Sequence, residues 1–465
     1  MLLNEYSIKS KKYESLLDPQ EKKNKGIYYT DTNLTSKIVE FLNIPYSASI
    51  YDPCCGTGNF IMSAKCLGYM NLYGSDSDAK AISCCKKNTL ISNVFTLDTI
   101  SNNGDYILKK IKIQSKLDFV IGNPPYVPIT KDLQIDMSDY LFWRSVKDSG
   151  NNLFVAAIYR AFELVKEEGV ISYIIPKNFL HVSSYSILRK FILSKKTVLS
   201  IVDIGSRFKD VRGEQIILTI QNKPSSSNVI KFYKFENEEL IKQSDVPQNF
   251  YTDEILIFTN DIDFNIYIKI QSSYKNLGDV CTGYLGRGKS KSETAITGKD
   301  IRKFSFKSCK VPQKGNQIFI QNIYSAEAGI IASFAGNLEA SETVTVFTDG
   351  DEKMCRYVLG VLHSRLVNYF LQIFCYNNSK LTMHTDAKYL KRIPLIINDK
   401  TFTKIINLVM VLEEIDYMSE CWFDFIESLN EIIYNTYGIT KEERLYIDSK
   451  IKSIQSEKWN YDKRR

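Results

Sequence analysis

The chain is most tightly constrained where two consecutive prolines follow an apolar run. Residues 117–122, Leu-Asp-Phe-Val-Ile-Gly, have the composition of a buried parallel strand. Pro124 and Pro125 cannot extend a sheet, so the backbone leaves it there as a stiff, extended turn. In open α/β sheets ligands bind at the carboxyl ends of strands. Asn123-Pro124-Pro125-Tyr126 therefore offers an amide, a fixed backbone carbonyl and an aromatic face at a site mouth. That set suits a planar group bearing an NH2. Asn123 Oδ1 and the Pro124 carbonyl can accept its two N–H bonds, and Tyr126 can stack on its face. The same four residues also fit a rigid loop with a structural Asn.

The glycine turn upstream narrows the ligand. Residues 48–51 form a short strand that runs into Asp52-Pro53-Cys54-Cys55-Gly56-Thr57-Gly58-Asn59-Phe60, followed by a helix to about residue 67. Gly56 and Gly58 at such a turn let a ligand approach the backbone closely. A second strand, 70–74, ends near Asp76, 20 residues beyond Gly56, where a carboxylate can take both hydroxyls of a ribose. A dinucleotide site wants a third small residue where this chain has Ile61, so a nucleoside without phosphates fits better. A third strand ends at Asp98, placed to accept from an adenine amino group.

The remaining alternation predicts a doubly wound α/β sheet. Residues 1–25 are charged, helical or frayed. Gly26-Ile27-Tyr28-Tyr29-Thr30 is a loop, and Asp31 or Thr32 caps a helix to about residue 42. A helix over 79–88, a polar stretch over 129–151, a helix over 153–166, a strand over 169–176, a helix over 185–194 and strands over 198–204 and 215–220 follow, the last ending the sheet. Phe208, between the last two strands, either closes the other face of a stacked base or plugs the core. Beyond residue 223 the alternation weakens into shorter strands and helices. Residues 283–291 are a flexible basic loop suited to phosphates or merely a solvated face. A helix is expected over 357–374, before Tyr376-Asn377-Asn378-Ser379-Lys380, and a helical tail over 401–465.

Composition excludes several classes. With 465 residues, two or more domains are expected, and the 44% hydrophobic and 24% charged fractions are ordinary for a soluble protein. No run of about 18 apolar residues signals a membrane span, and the polar first twelve residues lack the apolar core of a signal peptide. The net charge of +7 permits a polyanionic partner without requiring one. Ten cysteines include the pairs Cys54-Cys55 and Cys84-Cys85, but no C-x-x-C, and the three histidines lack ligand spacing. No metal and no disulfide framework is expected.

These motifs, in this order, resemble the gamma class of DNA amino-methyltransferases, in particular TaqI-type adenine-N6 methylases. Residues 26–30 resemble the N-terminal cofactor motif of that class, with Tyr29 and Thr30 at its end. Residues 52–60 resemble its main S-adenosylmethionine motif, through Asp52, Cys54, Gly56 and Gly58. Asp76 falls on the ribose acid and Asp98 on the acid facing the cofactor adenine. Asn123-Pro124-Pro125-Tyr126 is similar to the catalytic motif, and Phe208 to the aromatic that packs on the flipped base. Asn152-Leu153-Phe154 and residues 174–180 resemble the later sheet elements. Leu277-Gly278-Asp279, Thr297-Gly298-Lys299-Asp300 and residues 390–394 resemble a target-recognition domain. Asp31 stands where that class often has proline.

The resemblance implies a seven-stranded, doubly wound, mostly parallel methyltransferase sheet with a mixed α+β DNA-recognition domain. The catalytic domain is then 1–245, and the recognition domain 246–465 with its helical tail. It implies S-adenosylmethionine as cofactor and a flipped adenine in double-stranded DNA as substrate. It further implies a cytoplasmic monomer, off the membrane, within a restriction-modification system whose cognate endonuclease acts independently; too few residues precede Gly26 for a fused nuclease. Enzymes that methylate a glutamine amide at N5 in proteins or guanine N2 in RNA share the glycine turn and the tetrapeptide, and form the alternative.

Overall fold

The computed structural model describes residues 3–26, 28–130, 138–208, 213–272, 275–280, 282–379 and 383–463. Ile27, Lys380, most of the 129–151 stretch before Ser138 and residues 209–212 thus lie outside the described residues. Two compact units are present, Met1–Ile255 and Leu256–Arg465, so the division falls ten residues beyond 245.

The first unit is an α/β sheet with helices on its faces. Its elements are α1 (Leu3–Ser15), α2 (Pro19–Lys25), α3 (Thr32–Phe41), β1 (Ile50–Asp52), α4 (Asn59–Cys66), β2 (Leu72–Asp76), α5 (Ala79–Thr89), β3 (Val94–Thr96), α6 (Gly104–Lys110) and β4 (Leu117–Gly122). They continue with α7 (Tyr140–Asp148), α8 (Leu153–Leu164), β5 (Val165–Pro176), α9 (Ser186–Lys195), β6 (Thr197–Gly205), β7 (Gln215–Gln221), β8 (Val229–Glu236) and β9 (Glu239–Pro247). The strand order is β3-β2-β1-β4-β5-β7-β6-β8-β9. From β1 the chain winds outward through β2 and β3, then returns to pair β4 on the other side of β1, both neighbours parallel. That reversal places a crevice beyond the carboxyl ends of β1 and β4, where the glycine turn and the Pro-Pro turn emerge.

Local chemistry sets these elements. Asp31 caps α3 by accepting from Asn33 N and Leu34 N at 3.1 and 3.0 Å. Asn152 caps α8 through Phe154 N. One face of the central strands is apolar: Ile50, Leu72, Ile121, Ile174, Val202 and Ile217 share one buried cluster with Ile61 of α4. Each such side chain contributes about 1.5–3 kcal/mol by leaving water.

Three expectations are corrected here. The sheet has nine strands rather than seven, and β7 is not the last, because β8 and β9 add a hairpin that pairs β6 in parallel. Its tip, Asn237-Glu238, has positive φ at both positions (50° and 64°), the mirror-image turn that matches strand twist. The helix over 153–166 stops at Leu164, and β5 starts at once at Val165, four residues before Gly169. Inside the polar 129–151 stretch lies α7, capped by Asp139.

The second unit holds a four-stranded antiparallel sheet in the order Leu285–Arg287, Val344–Thr348, Gln317–Gln321, Ala332–Phe334. The basic segment 283–291 therefore contains an edge strand and not only a flexible loop, and Arg287 is paired with Asp386 at 2.8 Å. Thr297 and Asp300 form a capping box around a short turn. The helix expected over 357–374 is broken. Glu352–Leu362 ends at His363, and Ser364 caps the next helix through Val367 N, so the two halves meet at 64°. Helices Asp399–Glu414, Glu420–Thr436 and Lys441–Lys463 make the tail. Among the described residues no single helix is long and apolar enough to cross a membrane.

Candidate active site

A cleft of about 1220 Å³ opens at the carboxyl ends of β1 to β4. Of the residues singled out from sequence, Tyr29, Thr30, Asp52, Cys54, Gly56, Asp76, Asp98, Asn123 and Pro125 line it. Pro124, Tyr126, Phe208 and Gly58 do not border it.

Asn123 leaves β4 with its amide held on one side. Nδ2 donates to the Tyr28 carbonyl at 3.1 Å and to Thr30 Oγ1 at 3.2 Å. Both amide hydrogens are thus used within the protein, and Oδ1 is the group left for recognition. The Tyr126 hydroxyl contacts Oδ1 and also donates to the Ile174 carbonyl at 3.0 Å. A hydroxyl has one proton, so it serves one acceptor at a time. Oδ1 keeps at least one lone pair free. Burial holds the Tyr126 phenol far above its ordinary range, so it remains a donor.

Tyr126 is half-buried, sits edge-on to Phe154 at 6.4 Å and braces Asn123 through its hydroxyl. Its hydroxyl needs polar partners once buried, and these lie on Asn123 and β5. Phe208 packs on the core and lies 6.5 Å from the Tyr28 ring at 46°. Tyr28 lines the cleft and its carbonyl accepts from Asn123, and Phe208 stands beside the Tyr28 ring.

The carboxylates surround the cleft at three strand ends. Asp76 accepts from Gly56 N at 2.8 Å and Asp78 N at 2.9 Å, one on each oxygen. Asp52 accepts from Cys54 N at 3.1 Å. A Cβ on Gly122 would stand 2.6 Å from Asp52 Oδ1, so β4 passes this carboxylate only as glycine. Burial pushes both carboxyls above the usual range. Asp98 holds its own turn, accepting from Ile100 N, Ser101 N and Ser101 Oγ. Gly56, at φ 52°, packs against the Tyr29 ring, 2.5 Å from where a Cβ would stand. Gly58 serves packing rather than ligand access: at φ 96° its Cβ would meet Cys85 Sγ at 2.4 Å.

The N-terminal helix was expected, but its contacts were not. Tyr6, Ser10 and Tyr13 recur at helical spacing on one face; Tyr6 and Ser10 reach the glycine turn, and Tyr13 reaches Asp78 just beyond β2. Tyr6 donates to the Thr57 carbonyl, Ser10 bonds Thr57 Oγ1 at 2.7 Å and Asn59 Oδ1 at 2.9 Å, and Tyr13 donates to Asp78 at 2.7 Å. Tyr13 and Leu17 line the cleft, and the Tyr13 ring meets Tyr29 edge-on at 6.3 Å. The alternating face was legible, but the surrounding charge disguised it as a solvated helix.

A family model, N-6 DNA Methylase, matches residues 5–260 of the 465. The chain belongs to the N-6 DNA methylase family. Among the relatives of this chain is the modification methylase CviBIII of Paramecium bursaria Chlorella virus NC1A, 25% identical over 429 residues, 85% of this chain and 100% of that one. The type II methyltransferase M.VspI of Vibrio sp. (strain 343) is 26% identical over 215 residues, 45% of this chain. The match spans 51% of the Vibrio protein, about half its length. In fold the chain resembles the type IIL restriction-modification enzyme MmeI in complex with DNA, with TM-score 0.58 at 12% identity, covering 97% of this chain and 82% of that one. The DrdV–DNA complex gives TM-score 0.54 at 13% identity, over 88% and 59%.

N-6 DNA methylases are S-adenosylmethionine-dependent, and the donor set fits that group. Asp52, Asp76 and Asp98 offer acceptors for hydroxyls, an amino group and positive charge, and Gly56 and Tyr29 line the same cleft.

Proposed function

We propose that this protein is a site-specific DNA methyltransferase that moves a methyl group from S-adenosylmethionine to N6 of an adenine turned out of duplex DNA. The observation that carries the reading is Asn123, whose Nδ2 is tied to Tyr28 and Thr30 so that its oxygen is the recognising atom. Bound S-adenosylmethionine would supply a methyl group on a positively charged sulfur. Asp76 binds the ribose hydroxyls, Asp98 meets the adenine amino group, and Tyr29 closes the cleft beside Gly56. Asn123 Oδ1 and the Pro124 carbonyl accept from the target amine. Two acceptors on one nitrogen favour a pyramidal geometry and localise its lone pair. A neutral amide is no base, so the amine attacks first and loses its proton afterwards. Most of the rate enhancement is therefore positioning.

An amine inside a duplex cannot reach this cleft, so the base flips out, and Phe208 beside Tyr28 covers it. The second unit, Leu256–Arg465, reads the target sequence. The enzyme works as a cytoplasmic monomer in a restriction-modification system, its cognate endonuclease acting separately. Family membership disfavours the glutamine-N5 and guanine-N2 alternatives. Single-molecule sequencing of DNA from cells expressing the chain tests this reading. The expected product is N6-methyladenine at one sequence motif; unmodified DNA, or methyl transfer to protein or RNA instead, overturns it.

A further inference from the structure

A buried ammonium stands at the end of β5, outside the cleft and unused by the chemistry above. Lys177 follows Pro176 and is 4% exposed. Its Nζ lies 2.7 Å from Asp203 Oδ2 and 3.3 Å from Glu214 Oε2. Its backbone N donates to the Glu214 carbonyl at 2.8 Å. Asp203 is near the end of β6 and Glu214 immediately precedes β7. One cation therefore ties together the ends of three strands that neighbour one another in the order β5-β7-β6.

Between Asp203 and Glu214 runs the loop that carries Phe208. Its described residues are fastened at the neck. Gly205 N donates to Asp203 Oδ1 at 3.0 Å, Arg207 N to Gln215 Oε1 at 3.2 Å, and Gln215 Nε2 to the Gly213 carbonyl at 2.8 Å. Arg207 lies over the Phe235 ring at 4.5 Å. The other end of the frame is the catalytic tetrapeptide. Ile174, three residues before Lys177 on β5, accepts from Tyr126, and Tyr28, the ring beside Phe208, accepts from Asn123.

A buried ion cluster adds little stability over an apolar cluster of the same volume, because desolvation offsets the attraction. What charge-assisted hydrogen bonds do supply is direction. Here their direction fixes the base of the Phe208 loop relative to the strand that braces Asn123 and Tyr126. The two carboxylates keep the ammonium charged in spite of its burial.

We propose that Lys177, through Asp203 and Glu214, is a positioning residue that sets the Phe208 loop against the base-binding mouth. This rests on the reading of Phe208 as the aromatic that covers the flipped base. Lys177→Met alone takes the ammonium from buried Glu214 and half-buried Asp203 and invites unfolding. The decisive variant is therefore the neutral triple replacement Lys177→Met, Asp203→Asn, Glu214→Gln, with Phe208→Ala run in parallel. Thermal denaturation, S-adenosylmethionine calorimetry, fluorescence of DNA with 2-aminopurine at the target position, and steady-state kinetics are read on each. The triple variant is expected to fold and to bind S-adenosylmethionine within about twofold of the parent. It should lose the fluorescence rise and fall at least ~10-fold in kcat, as Phe208→Ala does, the scale of one lost base stack. Should Phe208→Ala leave the fluorescence rise intact, the reading of Phe208 fails and the proposal with it. A fluorescence loss in Phe208→Ala alone, with the triple variant at parental values, overturns the Lys177 assignment by itself. Joint loss of thermal stability and cofactor binding in the triple variant also overturns it, showing a cluster that merely holds the sheet.

Discussion

At the scale of single residues, Asn123 is the position where geometry revises chemistry. Asn123→Ala removes the acceptor and should lower methyl transfer at least ~10²-fold, as for loss of one aligned polar partner in a dry site. Cofactor binding should stay near the parental value, since the lost oxygen faces the base. Asn123→Asp keeps an acceptor, which alone would favour retained activity. Its second oxygen, however, falls where Nδ2 donates to the Tyr28 carbonyl. The variant should therefore be as impaired as alanine at neutral pH and recover as the pH falls, because a protonated carboxyl can donate there again. Rate measured against pH checks this; a flat residual rate would mean the Tyr28 tether is idle. Asp76→Ala should weaken S-adenosylmethionine by about 1.5–3 kcal/mol, the worth of a hydrogen bond to a charged group; unchanged affinity by calorimetry would remove the ribose assignment. The cleft-lining identities of Asn123, Asp52, Asp76 and Asp98 were legible in sequence because each sits at a strand end. The hydroxyl contacts of Tyr126 were not. A ring after two prolines can face out or in, and only the positions of Ile174 and Phe154 decide between them.

At the scale of elements, the alternation of strand and helix up to β7 was legible because buried parallel strands are short apolar runs. The β8 and β9 hairpin was not, since its turn is Asn-Glu without glycine and its strands carry lysines on the solvent side. The packing of α1 was hidden for a related reason: a helix that packs through tyrosine and serine hydroxyls has little apolar contrast between faces. That helix is open to a direct test. Tyr13 donates to Asp78, whose own backbone N bonds Asp76, so the hydroxyl supports, through Asp78, the carboxylate proposed for the ribose. Tyr13→Phe retains the ring contact with Tyr29 and removes the bond. It should weaken S-adenosylmethionine about fivefold, for roughly 1 kcal/mol, with thermal stability nearly unchanged. An affinity equal to the parent would leave α1 as packing only.

At the scale of the whole molecule, two buried groups in the second unit oppose each other in pH. His363 is 8% exposed, bonds the Leu359 carbonyl through Nδ1 and accepts from Ala332 N through Nε2. Burial and nearby Lys303 lower it from 6.5 to about 3. Its stabilising effect is complete above pH 6.5 and is lost as pH falls toward 3. Glu413, buried against Arg356, is raised by desolvation from 4.5 to about 7; its effect is complete below 4.5 and lost as pH rises through 7. Between pH 4.5 and 6.5 the two slopes cancel, each near 1.4 kcal/mol per pH unit. Relative to the parent, His363→Gln should gain stability on acidification across this window, and Glu413→Gln should lose it. Urea denaturation at several pH values measures both; parallel curves for all three proteins would show that neither group titrates as its burial dictates. The two carboxyls at the cleft have a wider consequence. Asp52 and Asp76 are raised chiefly by burial, with neighbouring carboxylates adding to it, and a ligand that brings positive charge draws them back toward ionisation. Loading the cofactor is then also an acid–base reaction, in which the protein hands protons to the buffer. The heat of binding should change with the ionisation enthalpy of the buffer, and affinity should climb with pH.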